Sequence, residues 1–369
     1  MNKHFDKRYF KHLNATRFLA FLPVFFTHCF YTSDIGIKGT SVYIFVQNHL
    51  KLGLLALDYF FVLSSFLISW IVYEEYNQTN QFKAINFYVR RCLRIFPLYF
   101  FVVLLGFGLY YLAQIVFGYQ MQALPSFYNF GLFILNFYMM EHGFNFLFFL
   151  TFFWSVSIEE QFYVGWALIL KYLKRYAHWL AAFIIVVSIV YRATHLENNN
   201  QLVFHTFSSL GNFGVGCLLC YLMINKHKSL DFMLSVSRIK KLAVYLVFAI
   251  LLFFYNSIFV NDFFVVIERL VFAILFAFVI ADFTYSKSPT FDLERHKWMS
   301  YFGQLSFGLY CYHGIVLTIA IKIADHYQLT SSGLNVFFLM PTMVFSFTLM
   351  LAHYSYKYFE KPIIKFKKY

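Results

Sequence analysis

Three properties of the 369-residue sequence predict an all-α polytopic membrane protein with about ten transmembrane helices. Hydrophobic residues make up 60% of it and aromatic residues 24%, whereas only 13% are charged. Apolar runs close to the ~20 residues that a spanning helix needs recur from end to end. Lysine and arginine gather in short clusters between those runs, as the positive-inside rule asks of cytoplasmic loops.

The predicted spans are 13–31, 52–74, 95–117, 153–174, 178–192, 203–224, 242–259, 263–284, 300–321 and 335–358. With the amino terminus inside, the inner segments 1–12, 75–94, 171–178, 225–241, 285–299 and 359–369 hold 23 Lys or Arg. The outer segments hold four, Lys38, Lys51, Arg192 and Lys322. This asymmetry predicts a multi-pass protein with both termini cytoplasmic. The stretch FYNFGLFILNFYMM, near 127–140, is apolar but short, the length of a re-entrant or interfacial segment. Making it a full span would move Lys171, Lys174 and Arg175 outside, so it is expected to stay on the outer side.

No linker or repeat divides the chain, and residues 1–369 are expected to form one domain. The basic amino terminus leads into an apolar run without a small-residue cleavage site, so a removed signal peptide is not expected. The net charge of +13 is scattered rather than gathered into a patch, which argues against nucleic acid as a partner. Cys29, Cys92, Cys217, Cys220 and Cys311 lie in apolar segments and read as small packing residues. Cys217 and Cys220 form a C-x-x-C without the further ligands of a metal site, and no metal is expected.

Function is sought where polarity is most costly. An ionisable side chain at the centre of a spanning helix costs about 2.5–3.5 kcal/mol on insertion scales. In the first span Arg17 and His28 are eleven residues apart, about three turns, so they share one face at two depths. Asp58 lies in the second span, Glu159 and Glu160 in the fourth, and His313 in the middle to outer half of the ninth. Glu268 and Arg269, near an edge of the eighth, read as a local pair. Arg17 taken alone also suits a snorkelling arginine and His28 an interfacial one, whereas Asp58 has no long stem with which to reach water. Glu159 and Glu160 point about 100° apart and cannot serve one site equally. In the cytoplasmic loop FYVRRCLRIFPLYF, Arg91 and Arg94 are one turn apart if helical. They read either as charge flanking a span or as a fork for phosphate oxygens.

These residues resemble a known family, the integral-membrane acyltransferase family 3, bacterial O-acyltransferases of cell-surface glycans. Arg17-x10-His28 matches its first-helix signature, and DYFFVLSSFLISW (58–70) resembles its second-helix pattern. RRCLRIFPLY (90–99), WSVSIEEQFY (154–163), SFGLYCYH (306–313) and YKYFEKP (356–362) follow in family order. Ser65 stands where the family usually has Gly, and Asn14 where it often has Asp. The resemblance implies ten helices in the bacterial cytoplasmic (inner) membrane. It also implies an acyl-CoA donor, usually acetyl-CoA, and a glycan hydroxyl as acceptor, on a surface polysaccharide, lipopolysaccharide or lipid-linked glycan. Some relatives carry a fused extracytoplasmic esterase-like domain, for which the ending IIKFKKY leaves no room.

On this reading His28 is the general base on the acceptor hydroxyl and Asp58 orients it. Arg91 and Arg94 hold the CoA phosphates, and Arg17 contacts the donor between them and His28. Glu159 positions the sugar or the histidine, and His313 is a second acid or base. The alternative is a transporter or flippase that uses its buried acids as a proton relay.

Overall fold

The computed structural model describes residues 10–49, 52–117, 123–144, 146–225, 228–230, 235–286 and 288–366. The basic residues before Phe10, Lys51, Lys226, Lys287 and the last three residues, counted in the charge asymmetry, lie outside the described residues. The long helices are α1 (Lys11–Cys29), α2 (Leu52–Thr79), α3 (Ala84–Phe117), α4 (Phe153–Leu173) and α5 (Ala177–Thr194). They continue with α6 (Thr206–Ile224), α7 (Arg238–Phe253), α8 (Asp262–Thr284), α9 (Ser306–His326) and α10 (Met340–Ser355). Each falls on one predicted span, and no strand occurs among the described residues.

Among the described residues, seven helical stretches are long and apolar enough to cross a membrane, and together they contain every long helix except α1 and α7. The protein is an all-α integral membrane protein. The helix α7 has only 16 residues, about 24 Å, short of the ~30 Å of hydrocarbon.

Two compact units are interleaved along the chain. The first takes residues 1–20, 55–84 and 159–304, and the second takes 21–54, 85–158 and 305–369. In the first unit, Ser64 meets Glu159 and Tyr76 meets the Lys171 carbonyl, so α2 and α4 run parallel. Asp58 with Asn212, and Ser69 with Cys217, make α2 parallel to α6. Ser209 with Arg269, and Met223 with Thr284, make α6 parallel to α8. By contrast α5 opposes α6, with Ser188 on the Ser208 carbonyl and His178 stacked on Tyr221. Likewise α7 opposes α8, with Lys241 on Asp282 and Phe248 on Phe276.

In the second unit α1 and α9 are parallel, since Phe21 meets His313 and Tyr31 meets Asp325. There α10 opposes α9, with Gly308 against Ala352 at one end and Ala324 and Met340 lining a shared groove toward the other. Within the first unit α2, α4, α6 and α8 thus run one way and α5 and α7 the other, and within the second α1 and α9 run against α10.

Small residues let the helices of the first unit approach closely. Gly216 on α6 faces the Val62 carbonyl and the Ser65 hydroxyl, leaving no space for a Cβ. Without a hydrophobic drive between helices in lipid, such close packing is a main source of association. Ser65, in place of the family's glycine, fits because its neighbour is glycine and its own hydroxyl donates to the Val62 carbonyl at 3.0 Å.

Several boundaries differ from expectation. The helix α3 begins at Ala84, so the arginine motif is helical rather than a loop, and Pro97 lies in the helix interior. Polar flanks extend a helix beyond the bilayer, and hydropathy does not register them. A break at Leu305 separates Lys297–Gln304 from α9, which puts His313 in the first half of its helix and not in the second. Arg192, counted as an outer-loop charge, is buried near the end of α5. The segment near 127–140 is two short helices, Phe127–Gly131 and Leu135–His142, parted where Phe133 takes a φ of 53°. Its Phe130 carbonyl accepts from Tyr99 at 3.0 Å, and Phe133 packs 4.9 Å from the Tyr99 ring.

Candidate active site

Two histidines face one another in the second unit. His28 stands one residue from the end of α1, and His313 on the parallel helix α9 is fully buried. Their ring centroids are 6.1 Å apart, and Phe152 lies 4.8 Å from His28 and 4.6 Å from His313. Gly314 lets Phe152 come this near, because a Cβ there would sit 2.5 Å from the Phe152 ring. The Tyr310 hydroxyl fixes that ring's backbone by donating to the Phe152 carbonyl at 2.7 Å.

The tautomer of His313 follows from its partner. Its Nδ1 lies 2.6 Å from the Tyr310 carbonyl, which only accepts, so Nδ1 carries the proton. Its Nε2 is buried without a hydrogen-bond partner among the described residues and bears the lone pair. An imidazole held in this state is ready to accept a proton.

At the other end of the same unit three motifs converge. Arg91 packs over Phe87, with its guanidinium carbon 5.6 Å from the ring centroid. Arg94, one turn on, lies within electrostatic reach of Glu360 from the YKYFEKP motif. Glu360 accepts from Ser355 at 3.1 Å and borders Gly308 of SFGLYCYH. Arg91 and Arg94 are both partly exposed.

The remaining sequence-derived residues belong to the first unit. Arg17 donates to Asn14 Oδ1 at 3.0 Å, so the asparagine that replaces the family's aspartate still fixes the guanidinium. Glu159 accepts from Ser64 at 2.7 Å. Asp58 is gripped by both nitrogens of an Arg269 fork, at 2.7 and 3.1 Å, and by Asn212 at 2.6 Å. Arg192 pairs with Glu268 at 2.7 Å and shares Ser208 with Arg269. Glu268 and Arg269 are therefore not a pair with each other, and the four charges form a neutral quartet in which Asp58, Arg192 and Arg269 are buried and Glu268 is partly exposed. Sequence reasoning missed Tyr310, Phe152 and the Asp58–Arg269 pairing. Only the excess of costly charges pointed toward the last.

The sequence model of a family described as an acyltransferase domain matches residues 10–354, and the chain belongs to this family, acyltransferase family 3. It is 23% identical over 351 residues to O-acetyltransferase OatA of Staphylococcus aureus strain NCTC 8325, covering 89% of this chain and 56% of that protein. It is also 23% identical over 355 residues to a putative O-acetyltransferase, SACOL0978, of S. aureus strain COL, covering 90% of this chain and 56% of the relative. The chain thus spans about half the length of these curated relatives. No solved structure gives a significant match.

Proposed function

We propose that the protein transfers an acyl group, acetyl in the first instance, from acyl-CoA to a hydroxyl of a cell-envelope glycan in the bacterial cytoplasmic membrane. The observation that carries this reading is the pair of imidazoles facing across Phe152. Family membership and relatives named as O-acetyltransferases support it.

In this mechanism His28 takes the acceptor's hydroxyl proton as the oxygen attacks the thioester carbonyl. The C–O bond forms, the tetrahedral adduct collapses with loss of the C–S bond, and the proton passes from His28 to the departing CoA thiolate. Imidazole suits both steps because its ordinary pKa lies near neutrality. His313, with Nε2 free to accept, is the second acid or base. Arg91 and Arg94 take the CoA phosphates, which planar guanidiniums bind in a fork. Arg17, fixed by Asn14, meets the donor. Asp58 contributes through its pair with Arg269, and Glu159 holds its place through Ser64.

The test is a mass spectrum of envelope glycans from cells with the intact protein, without it, and with His28→Ala. Loss of one acyl mass in both the deletion and the variant is the expected result. Identical glycans in all three would sink the reading and leave the flux assays that a transporter demands.

A further inference from the structure

An apolar groove of about 610 Å³ runs between α9 and α10 in the second unit, within the ~300–1,000 Å³ typical of ligand sites. On the side of α10 and the helical turn before it, the groove extends over the 17 residues from Asn335 to Leu351, about 24 Å of helical chain. Ile319, Ile323, Met343 and Phe347 line it and are about half exposed, so in a membrane the groove opens to lipid. Asn335 marks one end, where its amide donates to the Leu329 carbonyl at 2.9 Å.

That end is polar. Asp325 and Thr330, the neighbours of groove residues Ala324 and Leu329, meet the segment that follows α1. Tyr31 donates to Asp325 at 3.2 Å, Ser33 lies 2.9 Å from the Thr330 hydroxyl, and Thr32 donates to the Thr330 carbonyl at 2.6 Å. Tyr31 is three residues after His28, a reach of at most ~11 Å. We propose that this groove holds the hydrocarbon tail of a lipid-anchored glycan acceptor whose sugar head rests on Tyr31, Ser33 and Asp325, with its reacting hydroxyl at His28.

The inference rests on the acyl-transfer reading and names its acceptor class. A carboxylate among hydroxyls suits the many O–H donors of a sugar and repels a bare anionic headgroup. Lys322, exposed on α9 one turn before Asp325, offers a cation to a phosphate that joins sugar and tail. The donor's phosphates are assigned to Arg91 and Arg94, near Glu360 and the opposite end of α9. The two substrates therefore enter from opposite ends of one helix.

The experiment uses the full chain in liposomes with labelled acetyl-CoA and two acceptors. One is lipid-linked oligosaccharide extracted from the source cells, and the other is the same oligosaccharide freed from its tail by mild acid. A KM at least tenfold lower for the lipid-linked form is expected. Ala320→Phe and Met343→Trp, which fill the groove, should each raise that KM to the value for the freed form. Equal KM values in the wild type, or undiminished discrimination in both variants, would overturn the proposal. In parallel, a photoreactive analogue of the lipid-linked acceptor should label peptides within 316–351 more strongly than a photoreactive phosphatidylglycerol, and equal labelling would also overturn it. No acetyl transfer to either acceptor, with selective labelling retained, would instead defeat the acyl-transfer reading and leave the groove assignment standing.

Discussion

At the scale of single residues, buried polarity divides into groups that are satisfied and groups that are waiting. Asp58 and Arg269 are satisfied, and removing one partner of such a pair strands a charge at about 3–5 kcal/mol. Arg269→Ala should therefore lower the thermal unfolding temperature of detergent-purified protein sharply. Arg269→Ala combined with Asp58→Ala should lower it by less than the sum of the two single effects, as a double-mutant cycle would read. His313 Nε2 is waiting. His313→Gln keeps the volume but no base, and kcat should fall by about 100-fold or more with little change in either KM. A comparable loss from a purely structural role would appear in protein yield instead. The donor residues make the opposite prediction: Arg91→Ala with Arg94→Ala should raise the KM for acyl-CoA far more than that for the acceptor. Sequence alone singled out Asp58, His28 and His313 as candidates through the cost of placing them in lipid. It could not pair Asp58 with Arg269, because 211 positions separate them and nothing local encodes the meeting.

At the scale of elements, hydropathy found each long helix and misplaced several ends. It reads transfer into lipid, and a helix continues wherever backbone bonding and packing allow, as α3 does from Ala84 through its arginines. The same blindness hid the break at Leu305 and so shifted His313 along α9. The interruption at Phe133 was legible only as a shortage of length, not as a left-handed residue held by rings on α3. Contacts between helices depend on residues that hydropathy scores as neutral. Gly216→Val would force α6 off α2 at the Val62 carbonyl, an overpacking cost of about 1–3 kcal/mol, and folded yield in membranes should drop accordingly. Gly165, with no atom of the described residues within 4 Å of a built Cβ, supplies the control: Gly165→Ala should leave yield unaffected.

At the scale of the whole molecule, the charge asymmetry makes a testable topology. In cysteine-free protein, Asn80→Cys and His296→Cys should react with an impermeant maleimide only from the cytoplasmic side, and Leu196→Cys and Ser331→Cys only from the other. One of the four reacting from the wrong side would break that topology. The family match runs through both interleaved units, each assembled from three separate stretches of chain. That interleaving has a consequence for biosynthesis. His28 leaves the ribosome 285 residues before His313, about 15–60 s at ~5–20 residues per second. For that interval α1 is inserted with its polar face unpartnered by α9, and the second unit closes only when the final helices arrive. A nascent chain arrested before α9 would hold α1 in that state, making the early helices natural clients for insertion chaperones and membrane proteases.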